Sequence, residues 1–133
     1  MATLQDLGTY LAASVTDTSL TLGTNLLLGR MPDTPDTCVA IYETAGPPPS
    51  ETFGDTTPPL ESVGIAVHVR AAGYAAAQSL VLDCFKQLTK VTNETLTSTL
   101  YLHCEPQNSP FPLERDSQDR MVFVSNLVAV KAL

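Results

Sequence analysis

Five side chains in this sequence could ligate a metal: Cys38, Cys84, Cys104, His68 and His103. A closed zinc site takes four Cys or His ligands that converge on one ion, and the spacing here opposes convergence. His103 and Cys104 are adjacent in a segment that alternates like a strand, so they point to opposite faces. Cys84 falls in the apolar stripe of a helix, where a free thiol behaves as a small hydrophobe. Three cysteines without CxxC spacing also make no disulfide framework. The expectation is no metal, no cofactor and unbridged thiols.

Asp33, Asp36 and Glu43 are the candidates for acid–base work. The two aspartates sit in turn-forming pairs, Pro32-Asp33 and Pro35-Asp36, where an Asp side chain caps its own turn. Glu43 closes the short apolar run Cys38 to Tyr42 as an exposed strand-end charge. A catalytic pair also needs an orienting partner and a pocket, and the sequence names neither. Ser109 and Ser125 have no neighbouring base, and there is no GxSxG elbow. No glycine-rich loop follows a strand to cradle phosphate. The chain reads as a non-enzyme.

Composition narrows the class further. At 133 residues the chain is expected to form one domain, 1–133, with a core burying roughly two-thirds of the unfolded surface. Charged residues are only 16%, against roughly a quarter in ordinary soluble domains, which suggests that a partner covers part of the surface. The net charge of −7 and seven scattered basic residues exclude a nucleic-acid grip. No stretch approaches the ~18 apolar residues that span a bilayer. Met1 to Val15 lacks the basic start and apolar core of a secretory signal, so the chain is expected to stay in the compartment where it is made.

The elements that must carry these residues follow from periodicity. Leu4, Leu7, Leu11 and Val15 predict a helix from Thr3 to Val15, capped by Thr3 and with Asp6 in its first turn. A loop over 16–24 leads to a short strand, Asn25 to Leu28, then a tight turn at the Pro-Asp pairs and the strand Cys38 to Glu43. Ala45 to Leu60 holds five of the ten prolines and one aromatic, Phe53, so it is expected to project as a loop. Val63 to Arg70 alternates as a half-buried strand with His68 and Arg70 on the face turned from the core. The helix Tyr74 to Lys90 should bury Ala77, Leu80, Val81, Cys84, Phe85 and Leu88.

The last third reads as β. A hairpin from Thr95 to Glu105 turns near Thr97-Ser98, and Pro106, Pro110 and Pro112 then break the structure. A turn at Asp116 to Asp119 feeds a closing strand, Arg120 to Val130, apolar on both faces and therefore central. Ser125-Asn126 marks a bulge in it. The predicted fold class is α+β: a mostly antiparallel mixed sheet, two flanking helices and a long Pro-rich loop.

Three segments carry a resemblance, in order along the chain: GRMPDTPDTCVAIYE from Gly29, V-x-V-R-A-x-x-Y at Val67 to Tyr74, and SPFPLERDSQDR at Ser109 to Arg120. Together they resemble a phage virion family catalogued as bacteriophage minor capsid protein, similar to the tail-terminator (tail-completion) proteins of long-tailed phages. The resemblance implies an α+β subunit that closes a ring, usually of six copies, at the head-proximal end of the tail tube. There it would stop tail polymerisation and offer a surface to the head–tail connector protein. It implies as partners other copies of itself, the tail-tube protein and the connector, with assembly in the host cytoplasm and a final place in the neck of the virion. DNA would pass through such a ring without specific binding, past acidic residues such as Glu51, Asp55 and Glu61. Candidate interface residues are Pro48, Phe53 and Asp55 on the loop and His68 and Arg70 on the strand. The competing readings are a head-completion protein and a small ligand-binding module that uses its Pro-rich loop.

Overall fold

The computed structural model describes residues 2–47 and 60–132. The predicted Pro-rich loop, with Pro48, Phe53 and Asp55, falls almost wholly outside them. Two helices lie on one face of a curled mixed sheet, an α+β architecture. Helix α1 (Ala2–Ser14) buries Leu7 and Leu11 completely, and Val15 just beyond its end at 4% exposure. Thr3 does not cap it: the residue lies inside the helix, and its hydroxyl accepts a hydrogen bond from Lys131 Nζ at 2.7 Å. Nor does Asp6 serve the exposed first turn. It is 2% exposed and accepts a hydrogen bond from the Tyr101 hydroxyl at 2.8 Å.

Helix α2 (Tyr74–Thr89) starts after Gly73 with no side-chain cap, and the Lys90 N–H closes its end on the carbonyls of Gln87 and Leu88. Ala77, Leu80, Val81, Cys84 and Leu88 are buried as expected, but Phe85 sits at the margin of the stripe and is only half-buried. The Tyr10 hydroxyl donates to the Gln87 carbonyl at 2.8 Å, fastening α1 to the end of α2.

The strands are β1 (Leu26–Leu28), β2 (Cys38–Thr44), β3 (Leu60–Ala71), β4 (Thr92–Leu96), β5 (Thr99–Pro106), β6 (Phe111–Arg115) and β7 (Met121–Ala132). Their order is β1-β2-β3-β7-β5-β4, with β6 also against β7. Among the named strands β1 and β2 pair in parallel and the other pairs are antiparallel. Strands β3 and β7 pair without a break from Leu60↔Ala132 to Ala71↔Met121. Leu60 to Ser62 thus belong to the strand and not to the preceding loop. The closing strand is central, flanked by β3 on one side and by β5 and β6 on the other.

The prolines after β5 do not end the sheet. Pro106 stands opposite Leu127 and Phe111 opposite Val124, so the four residues 107–110 bridge a gap of two positions, Ser125 and Asn126. The Gln107 N–H bonds the Asn126 carbonyl at 2.9 Å across that gap. Ser125-Asn126 is therefore no bulge in β7, since both residues stay in register with Val67 and Ala66 of β3. It is where the neighbouring strand changes. Pro112 is tolerated because β6 has a partner on one side only among the described residues.

Val39, Ile41, Ile65, Val67, Val69, Phe123 and Leu127 form the sheet side of the core, against Leu7, Leu11, Leu80, Val81 and Leu88 from the helices. Each such side chain contributes about 1.5–3 kcal/mol by leaving water. One backbone contact depends on glycine: a Cβ on Gly64 would lie 2.6 Å from the Ala45 carbonyl oxygen and 2.5 Å from Thr44 Oγ1. Only glycine lets the end of β2 approach β3 so closely.

Candidate interaction site

The loop 29–37 joins two parallel neighbours, so it must carry the chain back along β1 before β2 begins. It is a returning arch and not the tight turn its two Pro-Asp pairs suggest. Gly29 opens it at φ +83°, in the left-handed region open to glycine, and its N–H bonds the Ile41 carbonyl at 2.8 Å. The Thr34–Pro35 peptide is cis.

Two arginines from distant segments hold this arch. Arg70, at the end of β3, donates Nε to the Asp36 carbonyl at 3.1 Å and Nη2 to the Pro35 carbonyl at 2.6 Å. Arg120, at the mouth of β7, donates Nη1 to the Asp33 carbonyl and to Asp36 Oδ1, the latter at 3.1 Å. The Asp33 carboxylate stands 3.9 Å from Arg120 Nη2. Among the described residues neither aspartate caps its own turn, because the arginines take the carbonyls and the Asp36 carboxylate instead.

Arg120 is itself oriented by the β6–β7 turn. Asp116 Oδ2 accepts from Arg120 Nε at 2.8 Å, while Asp116 Oδ1 accepts the backbone N–H groups of Gln118 and Arg120 at 3.0 and 2.9 Å. The turn predicted at Asp116 to Asp119 is therefore present, with Asp116 as its knot. The Arg120 N–H, seconded by the guanidinium and the Gln118 N–H, holds the Asp116 carboxyl below its usual range. Burial draws the Arg120 pKa down, but hydrogen bonds and charge from Asp116 and Asp36 outweigh it and raise the value.

Burial inverts across the clasp. Arg70 and Arg120 are 3% and 4% exposed, whereas the side chains of Asp33 and Asp36 are 89% and 65% exposed. The cations lie inside and the loop they hold lies outside. This arrangement holds an exposed stretch of backbone in one position.

The other candidates are dispersed. Arg70 is spent on the clasp and presents almost nothing to a partner. His68 is half-buried on the sheet face away from the helices, its ring centroid 4.7 Å from that of Tyr42, and burial lowers its pKa. Pro48, Phe53 and Asp55 lie outside the described residues. Glu61 pairs with Lys131 at 3.5 Å. The three cysteines are free and buried in separate elements, and burial pushes the thiols of Cys84 and Cys104 up to about 12. Among the described residues no three His, Cys, Asp or Glu side chains are placed to share a metal, and no helix is long and apolar enough to cross a membrane.

The sequence reading missed the clasp because nothing local marks it. Yet each segment that carried the family resemblance contributes to it: Asp33, Pro35 and Asp36 from the first, Arg70 from the second, Asp116 and Arg120 from the third. No curated protein matches the chain. The family model described as bacteriophage tail terminator protein matches residues 5–132, nearly the whole chain. The chain therefore belongs to the bacteriophage tail terminator family and has a structural role in the phage tail.

Proposed function

We propose that this protein is the subunit of a closed ring that ends tail-tube polymerisation and gives the head connector its docking surface. The observation that carries the reading is the family match over residues 5–132. Ring closure by one repeated heterologous interface needs two different patches on each subunit. The sheet edges are poor templates for it. Strand β1 has three residues, β4 contains Asn93 at φ +48°, and β6 holds Pro112 and a register shift beside it. Such features blunt edge-to-edge pairing, so the subunits meet through side-chain surfaces. His68, with Pro48, Phe53 and Asp55, belongs to the proposed contacts.

The reading requires that the protein recognise tube ends. Light scattering at high protein concentration, alone and with purified tail tubes lacking the protein, should reveal a ring or decoration of the tube tip in electron micrographs. A strict monomer that ignores assembled tubes would remove this function.

A further inference from the structure

We infer that the outer face of α2, at Leu82, Lys86 and Lys90, docks on Leu113 and Glu114 of β6 in a second copy of this chain. The contact rests on the ring-subunit reading and names the two patches that such a ring needs.

Copies of a chain with net charge −7 repel one another, so they approach where cations meet carboxylates. Few cations are left for that. Of the seven Lys and Arg residues, Arg70 and Arg120 are buried in the clasp, Arg115 pairs with Asp119 at 3.6 Å, and Lys131 pairs with Glu61. Among the described residues Arg30, Lys86 and Lys90 make no ion pair. The two lysines project from α2. Lys86 stands one turn before Lys90, which closes the helix, and Leu82 one turn before Lys86, so the three share a face. All are exposed, Leu82 at 37%. The buried stripe of the helix lies on the other side, against β3, β5 and β7.

The complement is on β6. Leu113 and Glu114 adjoin there and both are exposed, Leu113 at 47%. The register shifts between Pro112 and Glu114, so Leu113 is the extra residue of a bulge. Among the described residues Glu114 makes no ion pair, and its neighbour Arg115 is directed to Asp119. The other exposed large apolar side chains suit the role less. Tyr74 packs edge-on against Phe123, and Leu100 stands opposite Thr95, with Glu94 opposite Tyr101 on the other face. Each patch thus joins an exposed leucine to charge of one sign, and the signs are opposite. The patches lie on different elements, so the contact is heterologous, the kind that closes rings.

Sedimentation at high protein concentration, repeated on tail tubes lacking the protein, compares wild type with Lys86→Glu/Lys90→Glu, with Glu114→Lys and with all three substitutions together. Association should be weaker by about tenfold in each charge-reversed variant and return toward wild type in the combined one, with every variant folded by thermal melting. Equal association in all of them would overturn the contact. A melting change alone would do the same and leave the lysines as partners of the α2 dipole. Loss without recovery in the combined protein would also overturn it, because the lysines would then meet a surface other than β6. Variants that associate normally but fail to bind tubes would give the α2 face to the tube instead. Wild type that never associates, alone or on tubes, would remove the ring reading and this contact with it.

Discussion

Tyr101 donates its phenolic hydrogen to Asp6 across 2.8 Å, joining β5 to α1 at a point where the two residues are 0% and 2% exposed. Tyr101→Phe would leave a buried carboxylate without its donor. Hydrogen bonds to charged groups are worth about 1.5–3 kcal/mol, and an orphaned buried partner adds its desolvation penalty. The expected loss is about 2 kcal/mol in urea unfolding, whereas Asp6→Asn keeps an acceptor and costs less. A Tyr101→Phe protein as stable as wild type would show that the pair contributes nothing.

The same pair predicts an alkaline limit. Burial first, then the bond to Asp6, raises the Tyr101 pKa above its usual value. Between the unfolded and folded values the unfolded chain has lost a proton that the native chain keeps, so stability falls as pH rises past about 10. The Tyr101→Phe variant should lose part of that slope.

Asp116 sets the opposite limit. Its folded pKa is depressed, chiefly by the Arg120 N–H, so its contribution is complete above the unfolded carboxylate value of about 3.9. That contribution disappears as pH falls through the lower folded value. Urea midpoints measured between pH 5 and 2.5 should drop less steeply for Asp116→Asn than for wild type. Its amide carbonyl can still accept from the Gln118 and Arg120 N–H groups, but its NH2 faces the guanidinium instead of pairing with it. Equal slopes would mean that Asp116 titrates as a free carboxyl.

Much of the fold was legible because periodicity is a local property. Both helices and the strands Cys38–Thr44, Leu60–Ala71 and Met121–Ala132 each bury a repeating set of residues within one segment. Strand β6 escaped because Phe111–Arg115 contains a proline and alternates poorly; its place comes from the hairpin with β7. The parallel pairing of β1 with β2 was hidden for another reason, since two Pro-Asp pairs describe local bends and not the direction in which the chain returns. The clasp was the least legible. It joins Arg120 to Asp33 and Asp36, 87 and 84 positions away, and three of the five acceptors of its two guanidinium groups are backbone carbonyls, which every residue carries.

The β4–β5 hairpin turns at Thr97-Ser98, as its sequence suggested, but with unfavourable residues. Both have positive φ, +47° and +70°. A two-residue turn with both central φ positive strongly prefers Asn-Gly. A β-branched residue in the left-handed region is strained, at about 1–2 kcal/mol for an ordinary side chain. The combined Thr97→Asn and Ser98→Gly protein should be more stable by about 1 kcal/mol, raising the melting temperature by roughly 3–5 °C. No gain, with an unchanged hairpin, would place the strain elsewhere.

Ser125 lies on the core face of β7, opposite Val67, with 0% exposure. Among the described residues its Oγ has no hydrogen-bond partner. Beside it β5 ends, at Pro106 opposite Leu127, and β6 begins, at Phe111 opposite Val124. A buried hydroxyl without a partner costs about 1–3 kcal/mol relative to water. Removing it leaves a gap of one atom, a small packing loss next to that penalty. Ser125→Ala should therefore stabilise the protein by about 1 kcal/mol and raise its melting temperature by roughly 3 °C. Tail-tube binding should not change, because the side chain is fully buried on the helix-covered face and presents nothing to a partner. A variant less stable than wild type would reverse the argument, since it would show that the hydroxyl is satisfied in solution, as by a buried water bridging it to the backbone.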